Sequence, residues 1–339
     1  MRLIKTEDAV GHVLCHDMTQ IIKDQYKDAR FRKGHVVTEE DIPVLLSMGK
    51  EHLYVWEMTP GMVHENDAAE RLLALCGQEN MIRSGVKEGK IELKAACDGV
   101  FLVDSARLVA VNSQDEVMIA TRKGGMAVRE GDKLAGMRVI PLIIEEEKLR
   151  KAEQAAGDKP LLSLKPYVRK TACIVTTGGE VKKGLIKDTF TPVVIDKLKT
   201  YGIETLEVVY SGDGVENVRD AVLAMRERNP DMVLCTGGMS VDPDDNTPSG
   251  IRAAGADIVC YGAPVLPGAM FLLGYFDDGT PVMGLPGCVM YAGATVFDLV
   301  LPKVAADVPV TRADIAAMGE GGLCLGCKPC RYPVCPFGK

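Results

Sequence analysis

Two glycine pairs, each closing an apolar run, are the first residues here whose types and spacing could do chemistry. They are Thr177-Gly178-Gly179-Glu180 and Thr236-Gly237-Gly238-Met239-Ser240. A glycine pair lets backbone N–H groups converge on an oxyanion, and a nearby hydroxyl adds a donor. One such turn need only be a tight exit from a strand. Two at neighbouring strand ends point to a phosphate site. Acids stand close by: Asp188 precedes one expected helix, and Asp242, Asp244 and Asp245 crowd before another. A single carboxylate there could simply cap its helix, but three acids within four residues exceed what capping needs. Acids beside a phosphate cradle hold Mg²⁺, which bridges carboxylate and phosphate oxygens. Two further turns, Pro267-Gly268 and Gly284-Leu285-Pro286-Gly287, would close the pocket.

A second chemistry sits near the carboxyl end. Of eleven cysteines, four crowd into the last sixteen residues as Cys324-x2-Cys327-x2-Cys330-x4-Cys335-Pro336. This nearly repeats the bacterial ferredoxin run, with four residues instead of three before the last cysteine. Four thiolates could equally close a tetrahedral zinc site. Residues 319–339 hold five glycines and three prolines, which leaves the thiols little core to hide in. The segment therefore reads as metal-binding, iron–sulfur or zinc. The other seven cysteines are scattered singly, as small buried hydrophobes in a reducing cytosol would be. All five histidines fall within the first 64 residues, so the carboxyl half has neither a Ser-His-Asp triad nor a His-ligated zinc of its own. His12 and His16 read as surface or capping residues before a metal pair, and Trp56 as packing.

These groups need elements to position them. The chain has 339 residues, 47 % of them hydrophobic, enough for two or three domains with real cores. Its 40 basic and 47 acidic residues give a net charge of -7, which argues against a nucleic-acid partner. Early acids at Glu7 and Asp8, and Pro/Gly breaks in the apolar stretches 258–276 and 279–297, make a soluble cytoplasmic protein the expectation. Residues 171–306 alternate strands (171–176, 205–210, 232–235) with helices. One helix is expected to start at Thr191 as N-cap with Pro192 at N1; the others span 215–228 and begin at Thr247-Pro248. Such alternation predicts a parallel sheet covered on both faces, a three-layer α/β/α domain over 167–306. Ligands of such sheets bind beyond the carboxyl strand ends. A charged helix and linker occupy 146–166. Residues 1–145 read as mostly β or α+β, with a helix over 38–47 and strands at 52–55, 99–104, 108–112, 117–121 and 138–144. Residues 307–339 form the cysteine-rich tail.

Residues 168–305 resemble the molybdenum-cofactor biosynthesis domain shared by molybdopterin adenylyltransferases and molybdopterin molybdotransferases. The resemblance rests on Gly184-Leu-Ile-Lys-Asp188-Thr, Thr236-Gly-Gly-Met-Ser240, Asp245-Asn-Thr-Pro248, Leu266-Pro-Gly268 and Gly284-Leu-Pro-Gly287. The amino half, through Ala9-Val-Gly-His-Val-Leu14 and Val128-Arg-Glu-Gly-Asp132, more faintly resembles the molybdotransferases. The resemblance implies that Gly237, Gly238 and Ser240 bind the terminal phosphate of molybdopterin, and that Asp188 and Asp245 serve Mg²⁺ in catalysis. Thr247, Gly178, Glu180, Asp213 and Gly287 belong to the same implied pocket. It further implies a homodimer that inserts molybdate into adenylylated molybdopterin while AMP leaves, with a molybdoenzyme as acceptor. Leu266 and Ala269 stand where molybdotransferases typically carry lysines, and Cys288 where they carry asparagine. Those departures favour an alternative, a non-catalytic molybdopterin-binding chaperone or sensor. A nucleotide pyrophosphatase of the competence-damage type is a second alternative.

Overall fold

The computed structural model describes residues 2–22, 26–55, 61–240 and 245–339. Trp56, Asp242 and Asp244, singled out above, lie outside them. The chain divides into two compact units: Met1–Cys97, Phe101–Gly124 and Arg129–Leu164 make the first, and Asp98–Val100, Gly125–Val128 and Lys165–Lys339 the second.

The first unit mixes strands and helices. Its largest sheet runs Met81–Arg83, Ile91–Ala95, Lys133–Val139, Val117–Thr121, antiparallel throughout. Strand His52–Val55 pairs with Arg2–Lys5. Residues 108–112, expected as a strand, belong instead to helix Ser105–Asn112. Asp104 accepts from the Arg107 amide at 3.1 Å and pairs with its guanidinium at 2.8 Å, so the first turn is fixed before β-branched Val109 and Val111 are reached. The expected linker is also more ordered than its composition suggests, holding helix Glu146–Ala156 and strand Leu162–Pro166.

In the second unit β1 (Thr171–Thr177), β2 (Glu204–Ser211), β3 (Met232–Thr236), β4 (Asp257–Tyr261), β5 (Leu272–Tyr275) and β6 (Pro281–Leu285) form one sheet, ordered β2-β1-β3-β6-β5-β4. The first four in that order are mutually parallel; β5 runs antiparallel to β6, and β4 runs antiparallel to β5. The sheet is thus mixed, not wholly parallel. No helix separates β4 from β5 or β5 from β6, and only a parallel neighbour demands a long crossover. The helices are α1 (Gly179–Lys182), α2 (Phe190–Lys199), α3 (Val215–Arg226), α4 (Thr247–Ala253), α5 (Val296–Ala305) and α6 (Arg312–Ala317).

Strand side chains alternate between two buried clusters. Ala172, Ile174, Leu234 and Met283 pack with Val194 and Leu198 of α2 and Phe297 and Val300 of α5. Cys173, Val175, Val233 and Val282 pack with Val218 and Val222 of α3 and Ile251 of α4. The chain leaves β1 for β2 on one side, then crosses to β3 on the other. The direction of winding therefore reverses between β1 and β3, where open α/β sheets leave a crevice.

Two details depart from expectation. Helix α2 starts at Phe190, one residue before Thr191, because the Asp188 carboxylate accepts from the Phe190 and Thr191 amides at 2.9 and 3.0 Å. The carboxyl tail also has a core after all. Phe337 is 2 % exposed within the cluster that includes α5, and the Tyr332 hydroxyl donates to the Asp298 carbonyl at 3.0 Å. Among the described residues no helix is long and apolar enough to cross a membrane.

In the first unit His64 is buried at the start of helix Glu65–Ala74. Its Nδ1 faces the Asn66 amide at 3.1 Å and the Lys33 ammonium at 2.7 Å, so it must accept, and Nε2–H is left to donate to the Cys15 carbonyl. Burial, with Lys33 beside it, holds the imidazole below its ordinary value. Acidification through about 6.5, the usual imidazole value, therefore protonates the unfolded chain first. Stability is expected to fall over that window and level off below the native value. Denaturant titrations across it should show a slope in the native protein that is flattened in His64→Gln.

Candidate functional site

The reversal between β1 and β3 is closed by a loop that only glycine can make. Gly237 has φ +83° and Gly238 φ +56°. A methyl at Gly237 would run into the Thr177 carbonyl oxygen, and one at Gly238 would lie 2.7 Å from the Thr247 hydroxyl. The loop sits on buried hydroxyls. Thr247 Oγ1 donates to the Gly237 carbonyl at 2.9 Å and lies 3.1 Å from Thr177 Oγ1, which bonds the Thr236 carbonyl at 3.0 Å. Below them Thr176 Oγ1 lies 2.8 Å from Thr191 Oγ1. Thr191 thus serves the sheet rather than the cap expected of it.

Met239 and Ser240 are tied down at their polar groups. Asp245 accepts from the Ser240 amide at 2.8 Å. Tyr261, at the end of β4, donates to the Met239 and Ser240 carbonyls at 3.0 and 3.3 Å. Burial, then the Asp245 charge, pushes the Tyr261 phenol up, so it stays a donor. Among the described residues no carbonyl or side chain accepts from the Gly237 or Gly238 N–H. Those amides are available to an anion.

The loop opens on a cleft of about 470 Å³, lined by Gly237, Gly238, Ser240, Asp245, Gly287 and Cys288 among others. Five of the expected site residues thus meet on one surface, with Thr247 directly beneath them. The described lining contributes one carboxylate and no lysine or arginine. Burial raises the Cys288 thiol, which keeps it protonated and a poor nucleophile.

The remaining candidates gather on the β1–β2 side. Asp213 accepts from the Gly179 amide at 3.0 Å, beside Gly178, and a methyl at Gly179 would stand 2.8 Å from that carboxylate. Glu180 is exposed in α1. Asp188 holds the α2 amides with one oxygen and accepts from the Tyr210 hydroxyl at 3.3 Å with the other. None of these four lines the cleft. Among the described residues no group of three His, Cys, Asp or Glu is arranged around a single metal position. Sequence reading missed Tyr261 and Met239. Gly284 carried the signal for the second, since a methyl there would lie 2.6 Å from the Met239 sulfur.

Residues 173–306 match the family model of a probable molybdopterin binding domain, and residues 3–57 that of a domain of unknown function (DUF8806). A CinA-like protein of Mycobacterium tuberculosis (strain ATCC 25177 / H37Ra) is 32 % identical over 76 residues, 22 % of this chain and 18 % of that one. A CinA-like protein of Pseudothermotoga lettingae is 30 % identical over 78 residues, 23 % of this chain and 19 % of its own length. The matched stretch thus spans under a fifth of these curated relatives. Among solved structures, the molybdopterin biosynthesis Mog protein of Mycobacterium ulcerans is 24 % identical with a TM-score of 0.34, covering 41 % of this chain and 93 % of that one. The matches support a molybdenum-cofactor-biosynthesis-related domain, without singling out the molybdotransferase type expected from sequence.

The hydroxyl lock sets an order of costs. Thr247→Val strips a buried bond from the Gly237 carbonyl and should cost about 1–3 kcal/mol. Gly237→Ala should cost more, because the obstructing atom is backbone and cannot swing aside. Urea denaturation of the two variants checks the ranking.

Proposed function

We propose, with residues 173–306 forming a molybdenum-cofactor-biosynthesis-related domain, that this chain binds molybdopterin, free or adenylylated, in the Gly237–Gly238 cleft. The carrying observation is the obligatory glycine pair at the sheet's reversal point, with two N–H groups to which the described residues offer no acceptor. Those amides and the Ser240 hydroxyl are donors suited to the terminal phosphate. The described cleft offers no cationic side chain, so much of the phosphate charge must be met otherwise. Mg²⁺ fits the residues present: it is commonly held by one or two carboxylates plus substrate phosphates, without an all-protein cage. Asp245 would hold it at the cleft and Asp188 from the neighbouring loop. The ion would neutralise charge on the phosphoanhydride as AMP leaves and molybdate enters the dithiolene. The reaction is therefore molybdotransferase-like, in a cytoplasmic protein that hands its product to a molybdoenzyme and works as a homodimer. The four tail cysteines would hold a metal centre of their own, iron–sulfur or zinc.

A second reading is favoured by the same cation-free lining: a carrier that binds the pterin without turning it over. AMP release from adenylylated molybdopterin, with Mg²⁺ and molybdate, separates the two. Ser240→Ala should weaken binding roughly ten- to hundredfold, the value of a hydrogen bond to a charged group. Asp188→Asn and Asp245→Asn should abolish release while keeping the fold, since asparagine still accepts from the loop amides. Tight binding without release would favour the carrier. Cleavage of ADP-ribose instead would replace both readings with a pyrophosphatase.

A further inference from the structure

We infer that Cys324, Cys327, Cys330 and Cys335 hold a [4Fe–4S] cluster rather than zinc, in a cavity that shares a wall with the pterin cleft. The site stands on its own residues and does not rest on the pterin reading.

All four cysteines line one cavity of about 350 Å³. A single ion needs far less room, since even a water's share of liquid is only about 30 Å³. Zinc would draw four sulfurs to roughly 2.3 Å from one point. Four cysteines lining one cavity of that size suit a polynuclear cluster, in which each thiolate binds a different iron.

The spacing agrees. In two-cluster ferredoxins the fourth cysteine of the run ligates the other cluster. Here the run has one more residue before its fourth cysteine, and that thiol lines the same cavity as the other three. The extra length gives Cys335 the reach to turn back.

The cavity is held by the tail's own contacts. Leu266 and the tail exchange backbone bonds, Leu266 N to Gly322 O and Cys324 N to Leu266 O, each 2.8 Å. Between the third and fourth cysteines Tyr332 is anchored through its hydroxyl to Asp298, and Phe337 is buried just beyond. Gly293 admits Cys330 closely: a methyl there would lie 2.7 Å from its sulfur. Lys328 and Arg331 also line the cavity, two cations suited to a thiolate-bound, anionic cluster.

Tyr291 lines both this cavity and the pterin cleft. The turn through Gly287, Cys288 and Tyr291 faces the cleft, and its continuation through Gly293 and Ala294 faces the cysteines. The cluster would stand one wall from the bound pterin.

Full-length protein purified without oxygen, and protein reconstituted with iron and sulfide, tests this by metal and acid-labile sulfide analysis and by EPR after dithionite reduction. About four irons and four sulfides per chain, with a reduced-cluster signal, are expected. Cys330→Ser and Cys335→Ser should each lose most of the iron, whereas Cys97→Ser, in the first unit, should keep it. Gly293→Ala, which leaves every thiol in place, should lower iron occupancy by crowding Cys330. Thermal unfolding of each variant confirms that it is folded. One tightly held zinc per chain that iron and sulfide do not replace would overturn the proposal. So would iron that survives the Cys330 and Cys335 substitutions in folded protein.

Discussion

At the carboxyl end of β1 and β3 two backbones come so close that no side chain fits between them. A Cβ on Gly237 would collide with the Thr177 carbonyl, and one on Gly238 would crowd Thr247. The rest of the site follows from that approach. Because the strand ends nearly touch, their carbonyls are shielded from water and need protein donors, which the buried Thr177 and Thr247 hydroxyls supply. Gly237 and Gly238 line the cleft, and among the described residues nothing accepts from their amides. Ser240 and Asp245, bonded through the Ser240 amide, line the same cleft as the glycines.

The parts of this arrangement that the sequence displays are those whose residue types have few alternatives. A glycine pair after a buried strand, Thr-Pro near a helix start and alternating strand and helix periods all report local backbone needs, and they located the loop, α4 and the parallel part of the sheet. What stayed hidden depends on partners distant in sequence. Thr191 looks like an N-cap on local grounds, yet Thr176 claims its hydroxyl and leaves the cap to Asp188. Tyr261 reads as an ordinary strand residue until β4 brings its phenol under the Met239 and Ser240 carbonyls. The antiparallel edge escaped notice because apolar runs look alike in either strand direction. The apolar residues 108–111 look like strand until Asp104 and Arg107 are seen closing a helical turn.

Charge is the second theme of the site. A cleft that receives a phosphate ordinarily meets it with lysine or arginine, and the described lining here has neither. Amide dipoles and a hydroxyl can orient an oxyanion, but they carry no net charge to cancel its own. A divalent ion on nearby carboxylates can, and acids are what the surrounding loops supply. On this view Asp188 and Asp245 have two tasks that one side chain can perform together: one oxygen fixes loop amides, and the carboxylate charge favours a cation.

A main-chain ladder at Leu266 joins the cysteine tail to the turns beside the cleft. Leu266 is 57 % exposed and does not line the cleft. Its backbone amide and carbonyl form the short ladder that fastens the tail at Gly322 and Cys324. That ladder sets the first cysteine against the turn whose other face lines the cleft. Lys328 and Arg331 stand around the cysteine cavity one wall away, whereas the described lining of the cleft has no lysine or arginine. Under the proposed function the two sites would meet different anions: a phosphate in the cleft, with a metal ion to help carry its charge, and an anionic cluster beside Lys328 and Arg331.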